Sequence, residues 1–273
     1  LRVAGSASRE EEERRMFELG VVTYQIAKDW DIDTLIANCT EVGFTGAELR
    51  TSHAHGVEVG LDQAARADVK AKFADSSVQI VGLGSAFEYD AIDSDELRAN
   101  IDGTKQYVKL AADVGAPGVK VRPNKIHEDD GVPRAETFEQ IGLALRECGA
   151  FAKDLGVEIR LEVHGRITCE PPNIRTILDH AASDNVFACW NSNLQDRDES
   201  GGIDANYALL EPDIRLVHIT ELWNEYPWAR LFELLKASGY DGFTLAEIPA
   251  AGEDALRLMR YYRALWTAFG GGA

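Results

Sequence analysis

The sequence predicts a single (β/α)8 TIM barrel, an α/β fold in which eight parallel strands alternate with helices. Eight short apolar runs recur along the chain, roughly 25 to 40 residues apart, which is the length of a strand–helix unit. The segments between them carry apolar residues at the helical period of 3.6. The length of 273 residues is also usual for this barrel.

Strands are predicted where β-branched and apolar residues cluster between turn residues. Most of these runs end in polar or charged residues. The predicted strands cover residues 20–25, 46–50, 78–85, 118–123, 158–164, 186–193, 214–220 and 242–248.

The intervening helices show one apolar face each. In the first helix Leu35, Cys39 and Val42 share a face, and Asp93 with Glu96 forms the pattern of a capping box at the start of the third. An open doubly wound sheet is the rival fold. It usually has a glycine-rich turn after its first strand, whereas this chain reads Thr-Tyr-Gln at 23–25.

Residues 1–16 are predicted to be a flexible lead-in, because they combine Gly and Ser with a run of charged residues. Residues 17–273 form the barrel domain, with no internal boundary. The chain begins at Leu1 and not at Met, which indicates trimming; removal of an export signal would account for it.

Composition narrows the function classes. The net charge of −18 disfavours nucleic acid and anionic membranes as partners, and no apolar run is long enough to span a bilayer. The four cysteines form no CxxC pair and are interpreted as reduced core thiols, which favours a cytoplasmic location. They are Cys39, Cys148, Cys169 and Cys189.

Polar residues at strand ends are the main functional signal. A buried carboxylate or imidazole costs free energy unless it is paired or bound to a metal, and barrel active sites lie at the carboxyl ends of the strands. In the fifth strand Arg160, Glu162 and His164 alternate with apolar residues, so they face the barrel axis. The same alternation turns other polar residues inward: Glu48, Arg50, Lys120, Arg122, Asn191, Asn193, His218 and Glu247. A salt-bridged barrel core is the structural alternative to an active site.

Several stretches give a family resemblance: GFTGAELR, RLEVHG, CWNSN, LVHITEL and TLAEIP. Across residues 20 to about 267 the chain resembles the xylose isomerase-like TIM barrel superfamily, which includes sugar phosphate isomerases and epimerases. The resemblance implies one divalent metal ion, Mn²⁺, Mg²⁺, Co²⁺ or Zn²⁺, held by Glu162, Asn191, His218 and Glu247.

One of these positions departs from the family pattern. The family usually has Asp where this chain has Asn191, often with His three residues later, where this chain has Leu194. An amide oxygen is a neutral ligand, so the site would carry two protein charges instead of three. Alternatively Asn191 binds only substrate, and His164 or water completes the shell.

The resemblance also implies proton transfer next to a carbonyl. Glu162 and Glu247 are the candidate catalytic pair. If they are only metal ligands, His164, Glu48 or Glu221 would be the base. The substrate is expected to be a sugar or polyol, and its predicted contacts are Glu48, Arg50, His53, His55, Lys120, Arg122, His164, Asn193 and Glu221.

Three alternatives to an isomerase or epimerase remain open from sequence. A lyase or dehydratase acting on keto-sugars or inososes would begin with the same proton abstraction. A non-catalytic sugar-binding barrel would fit a metal site lost through Asn191. An apurinic endonuclease is disfavoured by the net charge and by too few His and Asp residues for three zinc ions. The resemblance further implies a homo-oligomer.

Overall fold

The computed structural model describes residues 17–272, so the predicted lead-in over residues 1–16 lies outside the described residues. Eight parallel strands close into a barrel in sequence order, and β1 pairs with both β2 and β8. The predicted barrel is confirmed.

The strands lie close to their predicted positions. Their bounds are β1 Glu18–Val22, β2 Gly46–Arg50, β3 Gln79–Glu88, β4 Gly118–Arg122, β5 Glu158–Glu162, β6 Val186–Trp190, β7 Ile214–Ile219 and β8 Phe243–Ala246.

One helix follows each strand. The helices are α1 Ile32–Val42, α2 Gln63–Ala74, α3 Ser94–Val114, α4 Arg134–Lys153, α5 Pro171–Ala181, α6 Asp204–Leu210, α7 Trp228–Ala237 and α8 Ala255–Ala268. The Asp93 half of the predicted capping box of α3 is present, because the Asp93 carboxylate accepts hydrogen bonds from the backbone N–H groups of Asp95 and Glu96. Gly43 ends α1 in the left-handed conformation, with φ of 75°.

Apolar side chains form two layers. The larger lies between the strands and the helices, and it includes Leu35, Ile141 and Trp190. The smaller is a cluster of Val22, Val81, Cys189, Leu216 and Leu245. Leu216 and Leu245 precede His218 and Glu247 by two residues, so the cluster lies on the same inward face and fills the barrel on the amino-terminal side of the polar residues.

The predicted strands β1, β5, β6 and β8 extend two or three residues beyond the carboxyl ends that the structure gives them. β6 ends at Trp190, because Ser192 adopts φ of 49° and breaks the extended backbone. Four predicted site residues therefore lie just after their strands instead of within them: His164, Asn191, Asn193 and Glu247.

All four cysteines are free and buried, as predicted. Within residues 17–272 no helix combines the length and the apolarity needed to cross a membrane.

Candidate metal centre

Three side chains from different strands meet at the carboxyl end of the barrel. Glu162 ends β5, His218 lies in β7, and Glu247 follows β8. His218 Nδ1 lies 3.6 Å from Glu162 Oε1 and 3.5 Å from Glu247 Oε2. Ligand atoms of all three residues lie within 4.8 Å of one another. The barrel thus brings together side chains that are far apart in sequence.

Lys120, from the neighbouring strand β4, pairs with the other oxygen of Glu162. Its Nζ lies 2.6 Å from Glu162 Oε2, and both side chains are almost completely buried. Burial would raise the pKa of Glu162, but Lys120 and His218 outweigh it and hold the pKa well below its usual range. Glu162 is therefore ionised, with one oxygen engaged by Lys120 and the other directed at His218.

Glu48 contacts the opposite nitrogen of the same imidazole. Its Oε2 lies 3.4 Å from His218 Nε2, and both residues are fully buried. Burial opposes ionisation of Glu48, but His218 and then Lys120 outweigh it and lower its pKa. Burial lowers the pKa of His218, but the neighbouring Cys189 and the carboxylates of Glu48 and Glu162 outweigh it and raise that pKa well above its usual value. A dense network of charges therefore lies beneath the opening of the barrel.

Several polar atoms of this network are buried without a hydrogen-bond partner among the described residues. They include His218 Nδ1, His164 Nδ1 and Asn191 Oδ1. A buried polar atom left without a partner costs about 1–3 kcal/mol, so such atoms commonly mark a binding site. These atoms point to a ligand that accepts electron pairs from nitrogen and oxygen.

The charges of the centre fit a divalent cation. Glu48, Glu162 and Glu247 bring three carboxylates, and Lys120 is the only lysine or arginine that pairs with any of them among the described residues. A dication together with a neutral His218 would balance the remaining charge. Glu162, His218 and Glu247 would hold the ion. Oxygen and imidazole donors of this kind suit Mn²⁺, Co²⁺ or Zn²⁺.

Three predicted substrate contacts lie at the same end of the barrel: Arg50 ends β2, His53 lies in the loop after β2, and Arg122 ends β4. The Arg50 guanidinium lies 6.0 Å from the centre of the Tyr24 ring, and His53 stacks on that ring with 6.1 Å between centroids. Arg122 pairs with Glu88 at 2.5 Å. Tyr24, Arg50 and His53 therefore form a cationic and aromatic surface, contributed by the end of β2 and the loops after β1 and β2.

His55, a predicted substrate contact, has both ring nitrogens bonded to the backbone of its own loop. Its Nε2 lies 2.8 Å from the carbonyl oxygen of Arg50, and its Nδ1 accepts from the N–H of Val57 at 3.0 Å. With both ring nitrogens used and only 5% of its surface exposed, His55 stabilises its own loop. The His-x-His spacing could not predict this role, because a sequence spacing does not show which backbone groups the ring nitrogens contact.

Two other predicted contacts also have partners within the protein. Asn193 donates from Nδ2 to the carbonyl oxygen of Val163 at 2.6 Å, which links the loops after β5 and β6. Glu221 accepts a hydrogen bond from the Trp223 indole at 2.9 Å. The Asn193 Oδ1 atom and the second carboxylate oxygen of Glu221 have no hydrogen-bond partner among the described residues.

Sequence reasoning missed the residues that support the loop after β6. Ser192 donates to the carbonyl oxygen of His218 at 2.8 Å, and Asp196 accepts from the Tyr226 hydroxyl at 2.8 Å. Burial raises the pKa of Asp196 to about 7. Asp196 is completely buried, and its polar neighbours in the sequence give no signal of a buried carboxyl group.

Comparison with known families agrees with this architecture. The family model of the xylose isomerase-like TIM barrel matches residues 36–265. The chain therefore belongs to the xylose isomerase-like TIM barrel family. A sequence search of curated proteins finds no significant match.

Solved structures share the fold at low sequence identity. The 3-keto-D-glucoside 4-epimerase YcjR of E. coli is 16% identical, with a TM-score of 0.76, over 92% of this chain and 99% of that one. The D-psicose 3-epimerase of Clostridium cellulolyticum H10 is 14% identical, with a TM-score of 0.77, over 93% and 99%. The IOLI protein, solved with a bound zinc atom, is 14% identical, with a TM-score of 0.68, over 93% and 96%.

Proposed function

We propose that the protein is a divalent-metal-dependent isomerase or epimerase that acts on a sugar or polyol by proton transfer next to a carbonyl. The observation that carries this proposal is the convergence of Glu162 and Glu247 on one unpartnered nitrogen of His218. Structural neighbours that are sugar epimerases support the reaction class. When bound, the divalent ion would polarise the carbonyl and so acidify the neighbouring C–H group.

Differences in exposure suggest different tasks for the two glutamates. The Glu247 side chain is 22% exposed and Glu162 only 3%, so a substrate entering from the loops would meet Glu247 first. Glu247 would accept the proton from carbon. Glu162, whose negative charge is stabilised by Lys120, would mainly hold the ion. In an epimerisation it would deliver a proton to the other face of the carbon only after taking one from a substrate hydroxyl group or from water.

His164 is the candidate for a further proton-transfer group. Its Nδ1 is buried without a hydrogen-bond partner, and burial lowers its pKa, so the ring is neutral near pH 7. A neutral imidazole beside Glu162 could hydrogen-bond a substrate hydroxyl or exchange a proton with it. Arg50, Arg122 and His53 would contact the more distant hydroxyl groups.

The test is proton exchange in D₂O, followed by NMR. Ketohexoses, 3-keto-glucosides and inososes would each be incubated with protein and Mn²⁺, Mg²⁺, Co²⁺ or Zn²⁺. Deuterium at the carbon next to the carbonyl, with an inverted centre or a shifted carbonyl, is the expected result. Loss of water or of an aglycone would instead assign a lyase or dehydratase.

Variants would locate the reaction at the centre. Glu247→Gln is expected to slow exchange by about 10²–10⁴-fold, because general acid–base catalysis contributes that much. Glu253→Gln, which removes an exposed carboxylate from the segment after the same strand, is the matched control and should keep the activity. Saturable sugar binding with neither exchange nor metal binding would overturn the proposal in favour of a sugar-binding barrel.

A further inference from the structure

The position of Glu48 differs from the one expected for a carboxylate that binds substrate. It is 0% exposed, and its only side-chain hydrogen bond among the described residues is the one to His218 Nε2, at 3.4 Å. The opposite nitrogen, His218 Nδ1, faces Glu162 and Glu247. Glu48 therefore meets the imidazole on the side away from the two candidate ligands.

The state of the imidazole decides whether His218 can bind a cation. A neutral ring carries its proton on one nitrogen and a lone pair on the other. A carboxylate that accepts a proton from Nε2 leaves the lone pair on Nδ1. Ligand histidines usually have such a partner, which fixes the tautomer and the ring orientation and makes the other nitrogen a better donor.

We infer that Glu48 is a positioning residue, which holds the proton of His218 on Nε2 so that Nδ1 presents its lone pair to a divalent cation between Glu162 and Glu247. This inference rests on the proposed function. It replaces the substrate contact expected for Glu48 from sequence.

The adjacent strand β3 leaves space for the carboxylate of Glu48. A Cβ atom on Gly84, in the adjacent strand β3, would lie 2.6 Å from Glu48 Oε1. Gly84 has an ordinary backbone conformation, so space and not the backbone explains the glycine at this position. On the other side, the N–H of Thr23 donates to the carbonyl oxygen of Glu48 at 3.0 Å and fixes the strand.

A purely structural role makes a different prediction. If Glu48 only forms an ion pair with a protonated His218, removal of its carboxylate would lower the unfolding free energy of the protein but would not cause a matching fall in metal affinity. The positioning role predicts a loss of metal affinity that depends on His218. Affinity for the metal alone, measured by calorimetry, therefore separates the two roles.

The experiment titrates Mn²⁺ into metal-free protein. The wild type is expected to bind one ion, and Glu48→Ala should raise the Kd by about 10–100-fold, the usual effect of losing such a partner. Glu48→Gln retains an acceptor for the Nε2 proton and should recover most of the affinity. In a His218→Ala background Glu48→Ala should have no further effect.

Controls keep the result interpretable. Glu158→Gln removes a carboxylate from the opposite end of strand β5, where Glu158 pairs with Arg160, and should leave the Kd unchanged. Should Glu48→Ala fail to fold, Gly84→Ala displaces the same carboxylate without removing it and should also weaken binding. The ¹⁵N signals of His218 in metal-free protein, recorded at a pH high enough for the ring to be neutral, give a second readout: Nε2 should be protonated in the wild type, and Glu48→Ala should show mixed tautomers.

The outcomes distinguish this inference from the proposed function. If the wild type binds no Mn²⁺, Zn²⁺ or Co²⁺, the proposed function itself fails. If the wild type binds one ion and the folded Glu48→Ala and Gly84→Ala variants bind it equally well, only the positioning role is overturned.

Discussion

Lys120 offers the sharpest test of the electrostatics of the centre. Replacing it with Met keeps most of the side-chain volume but removes the ammonium that pairs with Glu162 at 2.6 Å. Glu162 would then remain ionised and buried beside Glu48 and Glu247, without a permanent positive partner. We therefore expect Lys120→Met to destabilise the metal-free protein strongly.

The size of the effect follows from distance and burial. At an effective dielectric constant of about 20, unit charges 2.6 Å apart attract each other by about 6 kcal/mol. Loss of the ammonium also removes the free-energy cost of burying it, so a net loss of about 3–5 kcal/mol is expected, as for other broken buried pairs. In a protein of this length that corresponds to a fall in Tm of roughly 6–20 °C.

The assay is urea unfolding in the presence of EDTA, followed by circular dichroism. The chain supplies a matched control in Lys153, whose Nζ also lies 2.6 Å from a carboxylate, that of Asp184, but on the exposed surface. Lys153→Met should change the unfolding midpoint very little, because exposed pairs are screened by water. The two variants differ in burial and not in distance.

Mn²⁺ should raise the unfolding free energy of both proteins and reduce the difference between them. Lys120 repels a cation, so Lys120→Met should bind Mn²⁺ more tightly and gain more stability from it than the wild type does. Equal unfolding midpoints for wild type and Lys120→Met in EDTA would refute the reasoning. So would a lower Mn²⁺ affinity of a correctly folded variant.

Two further predictions concern the loop after β6. Asn191→Asp places a third carboxylate beside the two candidate ligands Glu162 and Glu247, where an unpartnered amide oxygen now lies. Calorimetry should show Mn²⁺ affinity higher by about tenfold, and an unchanged Kd would mean that Asn191 does not contact the ion. Asp196 has a folded-state pKa raised by burial to about 7, so the stability linked to its protonated form is complete below about pH 4 and is lost as the pH rises through 7. Asp196→Asn should remove that loss, worth roughly 4 kcal/mol, and so flatten the dependence of unfolding free energy on pH; parallel profiles for the two proteins would contradict this.

The fold could be predicted because its signals are local and repeated. Each strand is a short apolar run, and each helix has an apolar face, so the eightfold alternation is visible along the chain. Strand ends were less predictable. Nothing in the composition of residues 191–193 indicates that Ser192 takes a left-handed conformation, which ends β6 early.

The convergence of Glu162, His218 and Glu247 was predictable from alternation, since inward residues at the carboxyl ends of barrel strands must meet. The partners of each atom were not. Alternation places Glu48, Lys120 and His55 near the site, but it does not tell which of them contacts a ligand and which contacts the protein.

The hydrogen-bond partners of these three buried residues show which group each one contacts. His55 uses both ring nitrogens on backbone groups, Lys120 uses its ammonium on Glu162, and Glu48 uses one oxygen on His218. Only the last two act on candidate ligands, so they can alter metal binding without touching the metal. A charged residue at a strand end is thus as well suited to orient its neighbours as to bind substrate, and the atom it contacts decides between these roles.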